Sequence, residues 1–380
     1  MSATRNHGRV PRSLHAEHYS EPGVAAREEI HSSAGIGGDS SRKYHYRHFP
    51  TRQIRDPHKL PLDLRPQPLS PLPLQPWHLR AGRIKPHGDV VSGRVPLLFG
   101  ESTFVFGVRF ERSCPADRFF RNGDGHELWY VHEGRGLLAS DYGVLPFRPG
   151  HFVLVPKGTT YRVELESEDC CLLLIESRFP IALTAPVIDT ETDSPEFRLP
   201  RDEEGEFRVW TKHDGGFVTE MFLGHHPFDL IGWHGSLYPF ALHCEDVRQT
   251  EILGGTTPFF ESRSAAKRGF SVGAATGSDG AARFNADSDE ALFFANARVG
   301  SRKGSVERGS LTFHAGSLPH APQAATVKRP HDDRGNIAHD HVVTLQTCFE
   351  PLAVAKQALG IAEKDYLTRE FRSAQGPSVD

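Results

Sequence analysis

The sequence predicts an all-β protein built as two similar barrels, and three observations carry that expectation. Short apolar runs recur between glycine, proline and acidic turns from about Leu97 to Glu176, and again from about Arg208 to Thr347. Such spacing is expected of antiparallel sandwiches and barrels. The two regions also share a skeleton. Glu127 is followed by Gly150, Pro156, Gly158 and Tyr161, and Glu290 by Gly309, Ala315 and Pro319-His320, with eleven residues from the late glycine to Tyr161 or His320 in both. Helical periodicity is confined to the end, where Leu352, Ala355, Leu359, Ala362 and Tyr366 step by three and four like one face of a helix.

In chain order, residues 1–45 are polar and read as an arm lying on a neighbouring domain or subunit. From Asp56 to Pro76 prolines recur between leucines. Such a segment is extended and excluded from the interior of a helix or a central strand, because proline donates no backbone hydrogen bond. The first β domain spans 46–240, with strands expected at Thr103–Phe110, Glu127–His132, Phe152–Val155, Tyr161–Leu165 and Cys170 to Ile175. The second spans 241–380 and ends in the helix.

Composition excludes several classes. With 38% hydrophobic and 10% aromatic residues in 380, the chain can bury a sizeable core. A net charge of −4 leaves no footprint for nucleic acid or an acidic membrane surface. Five cysteines without a CxxC pair argue against a disulfide framework and a thiolate zinc site, and favour buried thiols in a reducing cytoplasm. The first residues lack the apolar core of a secretory signal, and no stretch approaches the ~18 apolar residues that span a membrane. No G-x-S-x-G elbow, GxGxxG turn or Walker loop occurs. Many of the 22 histidines lie in the first 60 residues, where a solvated arm explains them. The pair His225-His226 reads as packing, and His339-x-His341 follows a polar loop.

The repeated skeleton is similar to the two cupin motifs, in which histidines and a carboxylate on facing strands point into a small barrel and hold a metal. Two histidines and one carboxylate are the ligand set of non-haem Fe(II) oxygenases. The first copy has Glu127 and, nearby, His126, but carries Tyr161 where its histidine belongs. It is therefore structural, and metal chemistry belongs to the second copy.

Longer stretches resemble the homogentisate 1,2-dioxygenase family. They are Gly8-Arg-Val-Pro-Arg12, Gly38-Asp-Ser-Ser41 and Tyr44–Pro50 in the arm, and Asn122–Gly136 and Arg148–Thr160 in the first barrel. His226–Gly235 with Tyr238-Pro-Phe240 follows in the centre, then Asn285–Glu290, Gly309–His314 and Leu318-Pro-His320 in the second barrel. The resemblance covers nearly the whole chain. It implies a bicupin (two double-stranded β-helix domains) that cleaves the ring of homogentisate with O2 to maleylacetoacetate, in tyrosine and phenylalanine breakdown. It further implies one Fe(II) and a homo-oligomer of trimers or hexamers. Carried over by position, Glu290 and His320 are metal ligands, His320 also touches substrate, and His314 is catalytic.

The chain departs from the family where its first histidine ligand belongs. That position is Arg283, whose guanidinium has no lone pair to give a metal. No histidine occurs between His243 and His314, so the family's proton-accepting histidine is also missing. The tyrosine, glycine and proline positions of the pattern hold Val299, Ala297 and Ala315. Three readings stay open. One is a dioxygenase with rearranged ligands, Asp287 or Asp289 joining Glu290 and His320. Another is an inactive bicupin kept for binding or assembly. The third is a different reaction on a related small aromatic acid, with Arg283 pairing the substrate carboxylate bidentately.

Overall fold

A computed structural model describes residues 4–10, 17–21, 24–32, 40–46, 55–185, 194–198, 201, 203–247, 258–264, 266–276, 284–295, 306–320, 341–347 and 350–366. These form three seven-stranded sheets and one five-stranded sheet, nearly all antiparallel, with only short 3-10 turns of helix. The fold is all-β. Among the described residues no helix is long and apolar enough to cross a membrane.

The central sheet explains why the middle of the sequence is so apolar. In its strand His126–Glu133, Leu128 and Tyr130 enter one core with Phe260, Phe270, Phe293 and Leu345. The alternate residues Trp129 and Val131 enter a second core with Phe120, Leu138, Val163 and Val218. Side chains on a strand alternate between faces, so a sheet covered on both sides needs apolar residues at nearly every position. The neighbouring strand Cys170–Ser177 is buried at all eight positions for that reason. Cys170 faces one core while Cys171 points the other way, and Cys114, Cys170, Cys171 and Cys244 are free and buried. Cys348 lies outside the described residues.

The proline-rich segment runs along edges. Arg55–Asp63, with Pro57 and Pro61, is the edge strand of the outer sheet of the first barrel. Trp77–Leu79 is the edge strand of the second barrel's sheet, beside Ser310–His314. In return, Ala353–Val354 from the C-terminal region closes the edge of the central sheet beside Leu98 and Phe99. Residue 240 falls at the start of the strand Phe240–His243, which forms the opposite edge of that sheet.

The described N-terminal segments pair as strands. Arg5–Gly8, Glu17–Glu21, Val24–Ser32 and Ser40–Tyr46 form the five-stranded sheet with Leu230–Gly235. Lys43 anchors this sheet, its ammonium 2.6 Å from Asp141, both side chains fully buried. The expected terminal α-helix face also needs correction. Over Leu352–Tyr366 the chain makes the short strand and then a 3-10 helix, Lys356–Ile361. A 3-10 helix repeats every three residues. Within that turn Ala358 is buried, whereas Leu359, which an α-helical period would bury, is 44% exposed; Leu352 and Ala355 are buried before the helix begins.

Candidate metal centre

The second barrel's sheet places its polar residues by the same alternation. Ala291, Phe293, Leu311, Phe313, Val343 and Leu345 pack into the core against the central sheet. The residues between them face the other way. Glu290 lies directly across from His314 on one neighbouring strand and from Gln346 on the other. Three polar side chains thus stand in one row on the face turned from the core.

His320 joins them through the loop that follows the strand Ser310–His314. Leu318 N–H donates to the Ala315 carbonyl (3.2 Å), Ser317 N–H to the Asn285 carbonyl (2.7 Å) and Gly316 N–H to the Asp289 carboxylate (2.6 Å). These bonds fasten the loop to the segment entering Glu290. His320 Nε2 then lies 2.9 Å from Glu290 Oε2, and the His320 ring stacks on His314 with centroids 4.3 Å apart. One ligand atom from each of Glu290, His314 and His320 lies within 4.8 Å of the other two. Glu290 and His314 are almost completely buried.

The contacts of His320 define its chemistry. A carbonyl only accepts, so the 3.2 Å contact of Nδ1 with the Leu318 carbonyl puts the proton on Nδ1. His320 Nε2 then faces a carboxylate oxygen, a contact that is favourable with a proton or a cation between the two atoms. Gln346 Nε2 donates to the other carboxylate oxygen, Oε1, at 3.1 Å. Two imidazoles and a carboxylate, one imidazole oriented by a carbonyl, fit a ferrous ion.

Neither of the other two acids joins the cluster. Asp289 faces away, where its oxygens accept from the backbone N–H groups of Gly316 and Leu352, each at 2.6 Å. Burial pushes its carboxyl above the usual range, and those two hydrogen bonds offset only part of that. Asp287 is exposed on the preceding turn. Arg283 lies outside the described residues, as do Ala297, Val299 and His339. His225 and His226 are packed, His226 among Phe119, Phe207 and Phe228.

The first barrel repeats the second position by position. Glu127 lies across from Val155 and Glu176, as Glu290 lies across from His314 and Gln346. Gly158 N–H donates to the Asn122 carbonyl, as Ser317 does to Asn285. Gly150 and Gly309 share a positive φ, 88° and 77°, and so do Gly158 and Ser317, 81° and 65°. What differs is the cation. In the first barrel the Arg94 guanidinium contacts both the acid and the tyrosine, 2.8 Å from Glu127 Oε1 and 2.8 Å from Tyr161 Oη, with neither charge exposed. Phe120, the counterpart of Arg283, packs against Tyr161 and lies 4.8 Å below Arg94. An internal ion pair occupies the place that the cluster of Glu290, His314 and His320 takes in the second barrel. Sequence reading missed Arg94, which precedes the repeated skeleton, and Gln346, which follows it at a spacing the copies do not share. Glu176 lies 15 residues after Tyr161, and Gln346 lies 26 after His320.

Residues 100–243 match the family model for the homogentisate 1,2-dioxygenase N-terminal domain. A protein of Saccharolobus solfataricus named "Putative dioxygenase" is 25% identical over 379 residues, covering 90% of this chain and 92% of that one. Over residues 100–243 the chain is thus similar to the homogentisate 1,2-dioxygenase family. The family match falls on the first barrel, so the cluster of Glu290, His314 and His320 lies beyond it and stands on its own geometry. Among solved structures, the chain is similar to Ylba from E. coli, with a TM-score of 0.38 and 10% identity over 72% of this chain and 90% of that one. A cupin 2 conserved barrel domain protein from Leptotrichia buccalis gives a TM-score of 0.36 and 11% identity over 73% and 95%.

Proposed function

We propose that the chain is an Fe(II)-dependent dioxygenase of small aromatic acids, with its ligands rearranged within the second barrel and homogentisate as its substrate. The observation that carries this reading is the convergence of Glu290, His314 and His320, buried on the face turned from the core. In this reading Glu290 and His320 hold the metal as expected. His314, expected to act on substrate, becomes the third donor in place of the histidine that Arg283 replaces. Bound Fe(II) supplies positions at which O2 and a phenolic oxygen meet.

The chain's own residues do the rest. Leu318 fixes the tautomer of His320. Burial keeps bulk water from the carboxylate. Thr312, two residues before His314 on the same face, has a buried hydroxyl that makes no hydrogen bond, a polar point for a substrate hydroxyl. Arg283 is assigned the substrate carboxylate. A homo-oligomer belongs to the same proposal.

Anaerobic loading with Fe(II) tests it. About one iron per chain is expected, with oxygen uptake on adding homogentisate and loss of iron in Glu290→Ala and His314→Ala. A chain that stays iron-free and consumes no oxygen with any aromatic acid overturns the reading in favour of an inactive bicupin.

A further inference from the structure

The two barrels hold their central glutamates in the same way but with different residues. In the first, one carboxylate oxygen, Glu127 Oε1, accepts from the Asn122 carboxamide at 2.8 Å. The other, Oε2, faces Tyr161 Oη at 2.8 Å. In the second, Glu290 Oε1 accepts from the Gln346 carboxamide at 3.1 Å, and Oε2 faces His320, the counterpart of Tyr161, at 2.9 Å. Asn285, the counterpart of Asn122, has a buried Nδ2 that makes no hydrogen bond. The amide that orients the acid comes from the end of the preceding strand, Arg118–Asn122, in the first barrel and from the adjacent paired strand in the second.

We propose that Gln346 is a positioning residue for the second barrel's metal centre, which no sequence motif marks. By occupying Oε1 of Glu290 it leaves Oε2 alone to face the cluster. A bound cation would then meet one carboxylate oxygen, Oε2, and not both. The register makes this possible, because Gln346, Glu290 and His314 are direct cross-strand partners on one face. This inference rests on the metal reading above.

Cobalt(II), a coloured stand-in for ferrous iron, tests it without reliance on turnover. Gln346→Met keeps the length and bulk of the side chain and removes the donor, and Gln346→Ala removes both. In both folded variants, cobalt affinity should fall by about 10- to 100-fold, as for other groups that orient metal ligands. The visible absorption should also change shape as the freed carboxylate alters the coordination number. If both variants bind within about twofold of the natural chain with the same spectrum, Gln346 does not position the acid. If the natural chain itself takes up no cobalt, the metal reading fails and this inference with it.

Discussion

Arg94 and Glu127 show how one skeleton can hold an internal ion pair once both histidine positions are lost, to Val155 and Tyr161. Both are fully buried, and burial alone works against both charges. For Glu127 that penalty is outweighed by Arg94 and by hydrogen bonds from Arg94, Asn122 and Tyr161, which hold its carboxyl below the usual range. Trp129 Nε1 adds a bond to Oε2 at 3.0 Å, and Lys212 neutralises Glu176 at 2.7 Å, so every charge in the network has a partner. Removing one partner of such a pair leaves an uncompensated buried charge, which typically costs about 3–5 kcal/mol. Arg94→Met should therefore lower stability by that amount in urea unfolding at neutral pH. Adding Glu127→Gln should recover much of it, because the stranded charge goes too. A single variant within about 1 kcal/mol of the natural chain would show that the network carries little of the barrel's stability.

Strand-level features were legible where alternation or a repeated turn wrote them into the sequence. The apolar run at Cys170 and the eleven-residue spacing to Tyr161 and His320 each mark a strand or turn that the structure contains. The terminal helix was misread because Leu359 and Ala358 are both apolar, and steps of three and of four suit both residues. Only the 3-10 turn decides which is buried. The N-terminal sheet was illegible because its pairing residues are polar, and its register is set by Leu230–Gly235, some two hundred residues away. The loop carrying His320 leads to a second prediction. Ser317 occupies the left-handed conformation (φ 65°) that Gly158 holds in the first barrel. A side chain there typically costs about 1–2 kcal/mol, part of which glycine's greater freedom in the unfolded chain offsets. Ser317→Gly should raise stability by about 1 kcal/mol, read as a higher urea midpoint. A lower midpoint would mean that the serine is not strained.

Across the whole molecule the barrels exchange edges. Trp77–Leu79 completes the second barrel's sheet and Ala353–Val354 the central one, so a domain boundary drawn along the sequence crosses both. The central sheet serves two cores at once; the buried His126, His132 and His151 lie on its strands, and the buried His226 packs among Phe119, Phe207 and Phe228. Burial is the first cause that lowers the pKa of each, helped by nearby positive groups. His132 is held at about 3 and His226 at about 3, against an ordinary 6.5. His126 and His151 are each held at about 4. The geometry agrees, since Lys157 N–H donates to His126 Nδ1 and Phe228 N–H to His226 Nδ1, bonds that a protonated ring cannot accept. Unfolded, all four take up protons as the pH falls through 6.5, while folded they resist until it nears 3 to 4. The unfolded state therefore binds more protons in that window, and stability falls as the pH falls. It is fully present above 6.5 and is lost progressively on the way down. Thermal unfolding followed between about pH 7.5 and pH 5 should show a steady decline in Tm that begins near 6.5, above the range where carboxylates titrate. His132→Leu, which replaces a ring packed edge-on against Phe293 between the two sheets, should make that decline shallower. A flat Tm across the window would mean that these histidines are solvated enough to titrate in the folded protein.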